Sequence, residues 1–136
     1  MALHNSNPTT TIAWQKLQNH FQEMQNVSMS EMFNSDTNRT SQFHIQWNDF
    51  LIDYSKNIIN QETVDLLLEL ANQSQLKESI AKYFEGDIIN QTENRAVLHT
   101  ALRAKDSAII KVDGENVIPE VFEVKNKIKK FTDEVV

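Results

Sequence analysis

The run Thr92-Glu93-Asn94-Arg95-Ala96-Val97-Leu98-His99-Thr100-Ala101-Leu102-Arg103 is the densest and least interchangeable stretch of this chain. Val97, Leu98, Ala101 and Leu102 recur at helical spacing, with Ala96 on the flank, and cover one side of a 3.6-residue period. Arg95, His99 and Arg103 recur every four residues and stack on another side. Thr92 offers an N-cap, and Glu93 places a carboxylate in the first turn, where the helix dipole favours it. Arg103 falls at the opposite end, beside the partial negative charge. The spacing predicts an amphipathic helix over residues 92–103. An Arg/His/Arg stripe opposite an apolar stripe is ordinarily a solvated or salt-bridged helix face, so periodicity alone assigns it no chemistry.

Composition narrows the field around this run. At 136 residues with 40% hydrophobic and 24% charged side chains, the chain reads as one ordinary globular domain, long enough to bury a core. A net charge of −6 gives no general attraction for nucleic acid or an anionic membrane, so neither is expected as a partner. There are no cysteines, which removes disulfides, thiolate catalysis and zinc–thiolate sites. No apolar run approaches the roughly 20 residues of a membrane span. The opening Met1-Ala2-Leu3-His4-Asn5-Ser6 lacks the basic and apolar regions of a signal peptide, and the cytoplasm is the expected compartment. Two glycines are too few for a glycine-rich phosphate cradle or a dinucleotide fingerprint.

Periodicity and capping residues predict helices over about residues 8–25, 28–35, 61–73, 75–85, 92–103 and 119–134. Asn7-Pro8 opens the first, with Ala13, Leu17, Phe21 and Met24 as its core stripe. His20 lies beside that stripe and is expected to pack or face solvent rather than to bind a metal. Asn34-Ser35-Asp36-Thr37-Asn38-Arg39 reads as a polar break, with a short helical turn from Arg39 to Phe43. Phe43, Ile45 and Trp47 alternate with polar residues, and Asn48-Asp49 supplies turn chemistry, so residues 43–55 read as a β-hairpin with a half-buried face. In the fourth helix Val64, Leu67, Leu68 and Ala71 form the apolar stripe, widened by Leu66 and Leu70, while Glu62, Asp65 and Glu69 form a solvent face. Gly86 stops the next helix. Asp113-Gly114, between short β-rich runs, is a strong signal for a second hairpin over residues 108–118. Pro119 then starts a last helix with Val121, Val124, Ile128, Phe131 and Val135 on one face.

The motifs carry a resemblance that periodicity does not. Residues 92–103 resemble the signature T-E-x-R-A-V-L-H-x-A-L-R found near the N-terminus of glucose-6-phosphate isomerases. Asp53-Tyr54-Ser55-Lys56-Asn57 is similar to the D-Y-S-K-N run of that family, and Val112-Asp113-Gly114, Val117 and Pro119-Glu120-Val121 are similar to its V-D-G-x-x-V-x-P-E-V. The three matches stand in the family's order. Asn94 replaces a frequent glycine, Thr100 a frequent valine, and Ala104-Lys105 a common Asn-Arg.

The resemblance implies a mainly α fold with two short β-hairpins (α+β), the N-terminal helical segment of the phosphoglucose isomerase fold, lacking most of the sugar-isomerase α/β sandwich domains. It implies an enzyme that interconverts glucose 6-phosphate and fructose 6-phosphate through a cis-enediol, in glycolysis and gluconeogenesis, without metal or organic cofactor, as a homodimer. The family's catalytic glutamate, histidine, lysine and arginine, and its phosphate-holding loop, fall outside the matched motifs. Residues 1–136 are therefore expected as a single N-terminal segment of a larger enzyme, inactive alone, with no catalytic, cofactor-binding or metal residues. Sugar phosphate and a second subunit are then partners of the full-length enzyme only. The alternative is a small helical interaction module without enzymatic use, binding a partner through the Arg95/His99/Arg103 face or the last helix.

Overall fold

The computed structural model describes residues 7–135. These divide into two compact units, one running to Ser74 and the other starting at Gln75. Helices predominate, and two small antiparallel hairpins complete the fold.

In the first unit, Asn7 caps a single 3-10 turn over Pro8–Thr10, accepting the Thr9 N–H on Oδ1 at 3.1 Å. The long helix, α1 (Ile12–Met24), starts afresh at Thr11, whose Oγ1 accepts the Trp14 N–H at 3.2 Å. The single helix expected over residues 8–25 is thus broken, because Thr11 takes extended backbone and becomes the N-cap. A second helix, α2 (Met29–Ser35), opens with the Ser28 N–H donating to Glu31 Oε2 at 3.3 Å. After the short α3 (Arg39–Gln42) and a hairpin, α4 (Gln61–Gln73) returns to pack on α1. Asn60 caps α4 reciprocally: Oδ1 accepts the Thr63 N–H at 2.9 Å, and the Asn60 N–H donates to Thr63 Oγ1 at 3.1 Å.

The α1–α4 seam departs from the expected stripes. Ala13 and His20 are the buried residues of α1, while Phe21 is exposed. On α4, Leu67 and Leu68 face out, and Glu69, expected on the solvent face, instead pairs through both oxygens with Lys16 Nζ at 2.9 Å. Gln73 Oε1 accepts the Ala13 N–H at 3.1 Å. The small Ala13 allows close approach, and polar side chains then fill the seam.

Arg39 organises what lies between. It is only 3% exposed, and no carboxylate pairs with it among the described residues. Its Nε donates to the Ser55 carbonyl at 2.7 Å and its Nη2 to the Asn57 carbonyl at 2.6 Å. The guanidinium also lies over the rings of Phe33, 5.7 Å from the centroid, and Phe43, 4.6 Å away. It thereby fixes the Asp53–Asn57 loop against α2 and α3. The hairpin itself pairs β1 (His44–Trp47) with β2 (Phe50–Asp53), in the register Ile45↔Ile52 and Trp47↔Phe50. Those four side chains share one face, with Trp47 and Phe50 stacked at 5.8 Å. The face expected to be half-buried is open: each of the four is more than half exposed.

In the second unit, α5 (Leu76–Glu85) ends at Gly86 in the left-handed conformation, φ +83°, as a helix C-cap requires. A Cβ at Gly86 would sit 2.5 Å from the Lys111 carbonyl oxygen. The expected helix over residues 92–103 does not form. Asn90 and Arg95 instead exchange both backbone hydrogen bonds at 3.1 Å around a turn, Asn90 Oδ1 accepts the Glu93 N–H, and Asn94 stands at φ +50°. A left-handed residue cannot continue a right-handed helix, and the Asn90 side chain offers the backbone a local alternative. Only a 3-10 turn over Ala101–Arg103 remains helical. The second hairpin follows as β3 (Lys111–Val112) and β4 (Glu115–Asn116), with positive φ at both Asp113 and Gly114, as a type I′ turn demands. The last helix, α6 (Ile118–Val135), buries Ile118 and leaves Val124, Ile128, Phe131 and Val135 exposed along one face.

Two substitutions test these anchors. Arg39→Met leaves the buried Ser55 carbonyl and the half-buried Asn57 carbonyl without donors and is expected to lower unfolding stability by about 3 kcal/mol in urea titration. Arg39→Lys should recover under half of that loss, since an ammonium cannot reproduce the forked geometry. Gly86→Ala adds a clash with the Lys111 carbonyl to left-handed strain and is expected to cost about 2 kcal/mol by the same measurement.

Candidate functional site

The stretch that dominated the sequence borders a groove of the second unit. Because residues 91–94 turn back on themselves, the apolar residues after them are released from any helix and lie against the start of α6. Arg95, Ala96, Val97, Leu98, His99, Ala101 and Leu102 form one wall, and Val117, Glu120 and Val121 form the other. The space between is an open groove of about 510 Å³. Its floor is ordered by backbone bonds: the Ala101 N–H donates to the Leu98 carbonyl at 3.0 Å, and the Val121 N–H to the Val117 carbonyl at 3.2 Å. Ala101 and Ile118 are each 1% exposed, so this corner is the best-packed part of the unit.

The basic stripe is dispersed by the same geometry. Arg95 turns to Glu93 in an ion pair whose partners are both mostly exposed, an arrangement worth little to stability. His99 borders the groove, and its carbonyl accepts from Arg103 Nη1 at 3.4 Å. Arg103 is not part of the groove wall. The groove therefore presents one imidazole, one guanidinium already engaged and one carboxylate, Glu120, against mainly aliphatic walls. Mainly aliphatic walls of this kind suit the packing of another apolar segment.

The other acidic candidates are likewise occupied. Asp65 Oδ1 accepts from Gln61 Nε2 at 2.9 Å, and Glu69 is held by Lys16 and Gln73. Tyr54 packs edge-on against Phe43, with ring centroids 5.9 Å apart, and its N–H donates to the Phe43 carbonyl at 3.0 Å. Asp53 Oδ1 accepts the Ser55 N–H at 2.9 Å. The Asp53–Asn57 motif thus serves to close a strand and to offer Arg39 two carbonyls. Sequence reasoning missed Arg39, which sits in a stretch that reads as a polar break; the nearby Phe33 and Phe43 are the only hint that an arginine there is covered.

The family model described as phosphoglucose isomerase matches residues 53–136, starting at the first residue of the Asp53–Asn57 motif. The chain is 54% identical over 134 residues to the glucose-6-phosphate isomerase of Christiangramia forsetii (strain DSM 17595 / CGMCC 1.15422 / KT0803), covering 98% of this chain and 25% of that relative. It is 46% identical over 135 residues to the glucose-6-phosphate isomerase of Wigglesworthia glossinidia brevipalpis, again covering 98% and 25%. The chain spans about a quarter of the length of these curated relatives. A mainly helical architecture with two small hairpins is consistent with an N-terminal segment of such a protein. With the model matched over more than half of its residues, the chain belongs to the phosphoglucose isomerase family.

Proposed function

We propose that this chain is the N-terminal segment of a glucose-6-phosphate isomerase and contributes scaffold rather than chemistry. The full-length enzyme would interconvert glucose 6-phosphate and fructose 6-phosphate by proton transfer through a cis-enediol, in the cytoplasm, as a step of glycolysis and gluconeogenesis. The observation that carries this reading is the 54% identity running over nearly the whole chain to a relative of that name, four times its length. The mainly aliphatic walls of the groove beside the family signature support a packing role for this segment.

Unpartnered apolar faces support the scaffold role. Ile45, Trp47, Phe50 and Ile52 line one side of the first hairpin, and Val124, Ile128, Phe131 and Val135 line one side of α6, all largely exposed. Faces of this kind on a soluble domain are ordinarily covered by other protein. On this reading the remaining three quarters of the polypeptide cover them, and sugar phosphate and the second subunit of a homodimer meet that larger body.

A coupled assay converting fructose 6-phosphate to glucose 6-phosphate tests the inactivity. Purified residues 1–136 are expected to give no turnover above the buffer blank. Turnover that scales with the concentration of the chain would sink the scaffold reading.

A further inference from the structure

Apart from the groove, the α1–α4 seam holds a cluster that none of the foregoing uses. His20 is 5% exposed, and its Nε2 lies 2.7 Å from Thr63 Oγ1. That hydroxyl donates to Asn60 Oδ1 at 2.9 Å and accepts the Asn60 N–H at 3.1 Å. With its own proton already given to Asn60, it serves His20 as an acceptor, so the network assigns the imidazole proton to Nε2. Nδ1 then carries a lone pair. It is shielded from solvent and has no hydrogen-bond partner. Facing it at 3.7 Å each are Glu23 Oε2 and Glu62 Oε2.

Three electron-pair donors directed at one another are unfavourable unless a cation lies between them. A proton on Nδ1 would give ion pairs at 3.7 Å but a hydrogen bond to neither carboxylate. A metal ion answers it better. Tetrahedral ligands at roughly 2.1 Å from zinc stand about 3.4 Å apart, close to the separations here. The three donor atoms all lie within 4.8 Å of one another. Both glutamates are mostly exposed, at 73% and 64%, and free to close the remaining gap. Nε2–H held by Thr63 is the outer-shell support that fixes a ligating histidine's tautomer and ring. Two carboxylates also neutralise a divalent ion, which offsets the positive end of the α4 dipole beside it.

We infer that His20 Nδ1, Glu23 and Glu62 form a binding site for a divalent transition-metal ion of the zinc class, clamping α1 to the first turn of α4. One imidazole and two carboxylates without thiolate suit Zn²⁺ or Co²⁺, with a water completing the shell. The sequence reading found no partner for His20. Glu23 is one turn along the same helix, and Glu62 reaches it only because α4 folds back on α1.

The test is calorimetric titration of the metal-stripped full chain with ZnCl₂, with Co²⁺ as a spectroscopic probe. One equivalent should bind saturably, Co²⁺ should show the visible absorption of tetrahedral coordination, and Zn²⁺ should raise the melting temperature. Glu23→Gln and Glu62→Gln change exposed residues and should keep the helical circular dichroism, yet each should weaken Zn²⁺ binding at least tenfold and abolish the thermal shift. His20→Gln should abolish both. Absence of saturable Zn²⁺ binding would overturn the assignment. So would binding that Glu62→Gln leaves unchanged, since the ion would then be held by His44, His99 or other groups.

Discussion

A guanidinium buried with no carboxylate partner among the described residues is the constraint on which the first unit depends. Charge placed in a low-dielectric interior is costly unless every donor finds an acceptor. Arg39 meets that demand with two backbone carbonyls, from Ser55 and Asn57, and with the faces of Phe33 and Phe43. The carbonyls belong to a loop that leaves the first hairpin and leads to the Asn60 cap of α4. Through one side chain, then, the exit from a hairpin, the start of a long helix and two aromatic rings are held in one arrangement. The Asp53–Asn57 motif acquires a physical role from this: it supplies acceptors at fixed positions, and its own side chains brace the turn.

The second unit is organised by backbone conformation instead. Gly86, Asn94, Asp113 and Gly114 all take positive φ, and each marks a reversal. Gly86 could not be replaced by a larger residue without striking the Lys111 carbonyl. Asn94 takes a left-handed conformation that asparagine and glycine tolerate better than other residues. The reversals bring the signature run against the first turn of α6 and build the groove. The outer face of α6 and the first hairpin's apolar face remain uncovered among the described residues, which is the expected condition of a scaffold segment spanning a quarter of its relatives.

Much of this was legible in the residues, and what was not has identifiable causes. Both hairpins could be read because Asn48-Asp49 and Asp113-Gly114 encode their turns locally. The helices α4, α5 and α6 could be read because period and punctuating residues agree. The helix expected at residues 92–103 failed because a strong apolar period outweighed one residue: Asn94, in a turn sealed by Asn90. A period places apolar residues on one face but cannot say what covers it, and the stripe residues Leu67, Leu68, Ile128 and Phe131 lie exposed. Arg39 and the contacts of His20 with Glu62 and Thr63 depend on pairs 16 to 43 residues apart, beyond the reach of local pattern. The family was legible because motif identity survives where local conformation is misread.

The central claim is that this chain completes a larger isomerase without performing its chemistry. Complementation in trans tests it most directly. A full-length relative lacking the segment equivalent to this chain would be produced with and without residues 1–136, and glucose 6-phosphate formation measured in both. The account predicts activity only when the two polypeptides are present together. Equal activity of the truncated relative with and without the chain would contradict it.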